Sequence, residues 1–168
     1  KIGQMTQVDY RYLADKSDIK KYFLGSILSG GGSTPPTNQP SSWVELYNGF
    51  QQEALKTRLK IPLIYGIDAV HGHNNVLGAT MFPHNIGLGC MDDKALVQEI
   101  AAATAAEVKA TGLDWTFAPC VAVAQDERWG RTYEIYSEDS DIVTELGVAS
   151  TIGYQGRTLN KNSVLACA

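Results

Sequence analysis

No apolar run in the 168 residues is long enough to cross a bilayer, so a membrane-spanning helix is excluded. Net charge is small, −4 with a pI near 5.3. Its sign argues against nucleic acid or an anionic membrane as partner. Cysteine is scarce: Cys90, Cys120 and Cys167 lie far apart among apolar neighbours, with no Cys-x-x-Cys pair. That excludes a zinc site of thiolates and predicts buried free thiols. No Gly-x-Gly-x-x-Gly or Walker loop is present, so the common nucleotide cradles are missing and no cofactor is expected. Nothing at the N-terminus resembles a signal peptide, and the first residue is Lys rather than Met. The chain therefore reads as a processed or excised piece, and no leader reveals its compartment.

What is present describes an ordered domain. Hydrophobic residues make up 44% and charged residues 19%, and the length suffices for one real core. The most informative stretch runs Ile61-Pro-Leu-Ile-Tyr-Gly-Ile-Asp68 and continues through His71-Gly-His-Asn-Asn75. An almost unbroken apolar run is the pattern of a strand covered on both faces. It gives way at Asp68 to a polar, glycine-bearing loop. In folds built from β-α units, that end of the strand carries the chemistry. A turn-capping role for Asp68 fits the same residues.

Three more apolar runs punctuate the chain: Phe23–Ser29, Trp115–Cys120 and Ser163–Ala168. Residues 1–22 read as a polar, partly helical lead-in. Between the runs lie helical patterns. One carries Trp43, Leu46, Phe50 and Ala54, with Ser42 and Glu45 at capping-box spacing. A second starts near Asp92 or Asp93 and ends before Gly112, which reads as a glycine cap. A third opens at Ser137-Glu-Asp139. Strand-helix alternation means a parallel sheet with right-handed crossovers. Four such units predict the first half of a (β/α)8 barrel, since a complete one needs eight strands in roughly 250 residues. Half a barrel needs the remainder of the barrel, or another chain, to complete it.

The strand ends bring Gly30–Gly32, then Asp68 with His71, His73 and Asn74, then the loop carrying Trp129, Arg131 and Glu134 to one rim. Gly31 allows close approach of a ligand to the backbone. Carboxylate, guanidinium, amide and indole form the set that sugar sites use: paired hydrogen bonds to vicinal hydroxyls, and an indole against the apolar sugar face. Simpler readings exist, namely an ion pair of Arg131 with Glu134 or Glu138, and Trp129 as a packing anchor. His71-x-His73 near Asp68 is similar to a metal-dependent barrel hydrolase, although three ligands are the usual requirement. A non-catalytic sugar-binding fragment is a third reading.

Five stretches carry a family resemblance: Ile2–Gln7; Gly25–Ser33; Ile61–Gly72; Ala79-Thr-Met-Phe-Pro-His-Asn-Ile-Gly-Leu-Gly89; and Arg128-Trp-Gly-Arg-Thr-Tyr-Glu134 with Tyr136–Asp139. Together they resemble the N-terminal barrel domain of glycoside hydrolase family 3, the β-glucosidase and exo-β-glucanase family, over residues 1–168. The resemblance implies retaining hydrolysis of β-glucosidic bonds from the non-reducing ends of β-glucosides or β-glucans. Asp68 and Arg131 would bind the innermost glucose, with Glu134 orienting Arg131 and with Gly31, His71, Asn74 and Trp129 in support. The nucleophile and the acid/base would lie outside this chain. Asp114-Trp115 imitates part of the nucleophile motif but begins a strand instead of ending one. A secreted, periplasmic or cell-wall location is implied too.

Overall fold

A computed structural model describes residues 1–168. Four strands form one parallel sheet in sequential order: β1 (Gln7–Asp9), β2 (Ser26–Ser29), β3 (Ile64–Ile67) and β4 (Trp115–Thr116). Beyond β4 the chain returns in parallel at Leu165, which forms a bridge to Trp115. Thr116 N–H donates to Leu165 O at 2.9 Å, and Cys167 N–H to Ala118 O at 2.9 Å. All four apolar runs therefore occupy successive parallel positions. The lead-in is the exception: it contributes β1. Gly3 and Gly25 explain how. A Cβ on Gly3 would collide with Tyr22 O, and one on Gly25 would collide with Gln4 O. Two glycines thus let the first segment close onto the start of β2, in register Gln7↔Ser26.

Helices follow the strands: α1 (Asp18–Tyr22) precedes β2, α2 (Pro40–Leu55) follows it, α3 (Asn85–Met91) and α4 (Lys94–Ala110) follow β3, and α5 (Ser140–Gln155) follows β4. α2 buries Trp43, Leu46, Phe50 and Ala54, spaced at three to four residues as expected. It starts at Pro40, not at a Ser42 cap; proline at the first position needs no N–H partner there. The Ser42/Glu45 pair consequently lies inside the helix. α4 is capped by Asp93, whose side chain accepts from Leu96 N, and α5 by Asp139, which accepts from Asp141 N. α4 and α5 pack closely because their facing residues are small. A Cβ on Gly153 would come within 2.5 Å of Ala101 Cβ.

The main core joins Ile27, Tyr65 and Ile67 of the sheet to Trp43, Phe50, Ala105 and Val108 of the helices. A smaller cluster, with Leu88, Val97 and Leu146, sits where α3, α4 and α5 meet. The thiols depart from expectation. Cys90 and Cys167 are exposed and Cys120 is half-buried, all three free. Apolar sequence neighbours did not imply burial, because α3 turns Leu88 and Gly89 inward and leaves Cys90 at the surface. No helix is long and apolar enough to cross a membrane.

Candidate functional site

Asp68 follows β3 directly, and the chain behind it is tied down. Its carbonyl accepts Asn75 Nδ2 at 2.6 Å. The Asn74 amide, with its NH2 turned inward, lies 3.2 Å from the same carbonyl and 3.2 Å from Gly72 O. The next carbonyl, Ala69 O, accepts the buried Tyr154 hydroxyl from α5 at 2.9 Å. Three side chains thereby fix the strand end while leaving the carboxylate free.

Gly30 covers one side of that carboxylate. Its φ of +136° is one that side chains rarely adopt, and a Cβ there would sit 2.6 Å from Asp68 Oδ2. Burial pushes the Asp68 carboxyl above its ordinary range. The Arg131 charge pulls it back, and Glu134 adds to the rise.

Arg131 leads into a 3-10 turn over Thr132–Glu134. Its Nε lies 3.0 Å from both Glu134 carboxylate oxygens, and Nη2 donates to Oε2 at 2.6 Å. The ion pair foreseen as an alternative is thus present. It does not exhaust the guanidinium, whose side chain stays 63% exposed while that of Glu134 is 15% exposed. The Arg131 hydrogen bonds hold Glu134 below the usual carboxylate range. α3 anchors the turn: Asn85 Nδ2 donates to Glu134 O at 2.9 Å.

Gly31, Asp68, His71, Asn74, Arg131 and Glu134 line one cleft of about 360 Å³. Trp129 is outside that lining and 40% exposed; its carbonyl accepts the Thr132 hydroxyl at 2.7 Å. His71 and His73 part company. His71 faces the cleft, whereas His73 is fully buried, with Nε2 2.9 Å from Thr111 Oγ1 and its ring beside Trp43. They do not form a metal pair, and no three His, Cys, Asp or Glu side chains are grouped so as to hold a metal ion. Asp114 is engaged at the opposite end of its strand by Lys109 at 2.6 Å and Tyr47 at 3.2 Å.

Two cleft residues escaped the sequence reading. His84 stacks on His71 with ring centroids 4.0 Å apart, and Tyr133 meets His84 edge-on at 4.7 Å. His84 lies on a different segment from His71. No local pattern signals this, because it is the Gly72↔Met81 bridge that folds residues 80–84 back over the loop.

Chemically, the cleft offers one unengaged carboxylate as acceptor, one guanidinium with free N–H groups, and the free edge of the His71 imidazole. With the cleft at the carboxyl ends of successive parallel strands, these features define a β/α-barrel-type domain whose cleft carries hydrogen-bonding groups for a polar ligand. The family follows from the whole length of the sequence. The glycosyl hydrolase family 3 N terminal domain matches residues 1–168, and the chain belongs to that family.

A lysosomal beta glucosidase of Dictyostelium discoideum is 36% identical over 174 residues, covering 93% of this chain and 21% of the relative. Other relatives are named periplasmic. The crystal structure of an exo-1,3/1,4-beta-glucanase from a Pseudoalteromonas species superposes with a TM-score of 0.90 at 42% identity, covering 98% of this chain and 22% of that one. A beta-glucosidase from Listeria innocua in complex with glucose gives a TM-score of 0.76 at 28% identity, covering 99% and 24%. The chain therefore spans about a fifth of the length of the relatives it matches.

Proposed function

We propose that residues 1–168 are the first four β/α units of a (β/α)8 domain in a retaining β-glucosidase or exo-β-glucanase. In this reading the cleft holds the non-reducing glucose of a β-glucoside or β-glucan oligosaccharide. The observation that carries it is a half-buried, unengaged carboxylate, Asp68, across one small cleft from the exposed side of the Arg131 fork. Asp68 accepts from two sugar hydroxyls, and Arg131 donates to the ring's outer oxygens. Glu134 keeps the planar guanidinium aimed, while His71, Asn74 and Gly31 shape the wall. Trp129 lies further out and serves the loop. The glucose complex of the Listeria innocua beta-glucosidase supports a sugar ligand for the family, and the two relatives named periplasmic support an exported protein.

Retention needs two carboxyl groups about 5 Å apart, one as nucleophile and one as acid/base. Both oxygens of Glu134 are bound to Arg131, so it fills neither role. In this reading both reacting groups come from outside these residues, and the remainder of the barrel completes the sheet.

The test uses the full-length parent. Asp68→Asn turns one acceptor into a donor and removes the charge. It should cost about 2–4 kcal/mol in transition-state binding, roughly thirty- to several-hundred-fold in kcat/KM. Arg131→Lys loses the planar fork and should fall comparably. Both should keep the wild-type melting temperature to within a few degrees. Near-wild-type kcat/KM on an aryl β-glucoside in Asp68→Asn would remove the sugar from this strand end.

A further inference from the structure

The Arg131–Glu134 fork is held by a group that the sugar does not need to touch. His84 immediately precedes α3, and its neighbour Asn85 holds the Glu134 carbonyl at 2.9 Å. The His84 ring is sandwiched between His71, at 4.0 Å and 32° between planes, and the edge of Tyr133 at 4.7 Å. Tyr133 is a residue of the turn that carries Glu134. His71 is itself fixed. Phe82 O can only accept, so His71 Nδ1, 3.1 Å away, carries a proton and donates it. Phe82 N–H returns a bond to His71 O at 2.9 Å. His84 Nδ1 is buried with no partner. A ring so placed packs as a neutral aromatic against two others.

We propose that His84 is a positioning residue that gates glucose binding by pH: neutral, it braces Tyr133 and the Arg131–Glu134 fork, and protonated, it releases them. The role rests on the glucose-site reading of the cleft and extends it to regulation.

The titratable and charged groups around the ring are His71 and Asp68 from the loop after β3, and Arg131, Tyr133 and Glu134 from the turn; α3 contributes no charge. Burial and the His71 ring both lower the affinity of His84 for a proton, and Glu134 opposes them. A proton on His84 places a cation against His71. It also gives Glu134 a second partner that competes with Arg131. The fork then loosens on the side that faces the sugar. His84 does not touch the reacting bond, so the effect falls on binding before it falls on turnover.

The experiment measures D-glucose affinity of the full-length parent, as a competitive inhibition constant, from pH 7 to pH 4.5. Wild type should weaken by about tenfold per pH unit once His84 protonates, at a pH below the 6.5 of a free imidazole. His84→Phe keeps an aromatic ring in the stack and cannot take a proton. It should bind glucose within about threefold of wild type at pH 7 and lose that part of the acid weakening. His84→Gln, which also cannot titrate, should lose the same limb with weaker binding throughout, and it serves if the Phe variant fails to fold. A bracing role without titration predicts an unchanged pH profile in both variants, and that result overturns the proposal. Wild-type affinity that is flat over the whole range from pH 7 to 4.5 overturns it without any variant. Absence of glucose binding at every pH, in a folded and active parent, instead overturns the glucose-site reading beneath it.

Discussion

His71 and His73 are two residues apart, yet one faces the cleft and the other belongs to the core. The hydroxyl of Thr111 donates to Val108 O at 2.7 Å, so it must accept from His73 Nε2–H. The tautomer is thereby fixed, and Nδ1 is left as a buried lone pair. Burial lowers the His73 pKa from 6.5 to about 4. Between those two values the unfolded chain binds more protons than the folded one, so stability rises with pH. Acidification from pH 6.5 to 4 should therefore cost up to about 3 kcal/mol from this residue alone, at 1.36 kcal/mol per pKa unit. Above pH 6.5 it contributes no pH dependence. Denaturant unfolding of the parent at several pH values, wild type against His73→Gln, measures this. A variant whose stability falls as steeply in acid as wild type would refute the assignment.

At the scale of elements, the turn after β2 and the end of β3 work as one unit. β2 and β3 pair through Ser29↔Ile67, so Gly30 arrives beside Asp68. The strained φ of Gly30 and its contact with the carboxylate make this position sensitive twice over. Gly30→Ala should lose stability by about 1–3 kcal/mol and also displace Asp68, lowering kcat/KM at least tenfold. Gly32 also has positive φ, +95°, but a Cβ there would meet nothing within 4 Å. Gly32→Ala should show the stability loss without the specific loss of activity. Measuring melting temperature and kcat/KM on both variants separates strain from the site. Equal activity losses would mean that the Gly30–Asp68 contact is immaterial. Of this unit, the sequence showed a glycine run and a strand-terminal aspartate. It could not show their contact, because Gly30 and Asp68 are far apart in sequence and meet only through strand pairing.

At the scale of the molecule, the sheet has two open edges. β1 pairs only with β2, and Ile2, Met5 and Tyr12 beside it are exposed. At the far side the Leu165 bridge ends the ladder, and Val148 of α5 is 54% exposed. Unpaired strand edges flanked by apolar surface favour association. The 168-residue chain produced alone should self-associate in sedimentation, and it should not hydrolyse an aryl β-glucoside above background. A monodisperse monomer with cooperative unfolding would contradict the first expectation. Turnover by chain free of contaminating parent would contradict the assignment of the reacting carboxyl groups to other residues.

The strand-helix alternation and the aspartate caps, which depend on local periodicity and local chemistry, were legible in the order of residues alone, whereas the start of α2, the short α3 and the exposure of the thiols were not. Apolar runs of strand length between helical spacings require parallel β-α units, and Asp68 had to fall at a strand end because the run stops there. Asp93 and Asp139 cap α4 and α5 by bonds to residues only two or three positions away. What depends on distant segments meeting was set by the folded chain. Gln7–Asp9 has no apolar run and becomes a strand only because Gly3 and Gly25 admit it to the sheet edge. Tyr154 reaches Ala69 across 85 residues, and Asn85 reaches Glu134 across 49. His84 enters the cleft, and Trp129 stays out of it, by the way two loops fold over one another. Periodicity records which face of an element is buried; the partner it is buried against is set by packing of the whole chain.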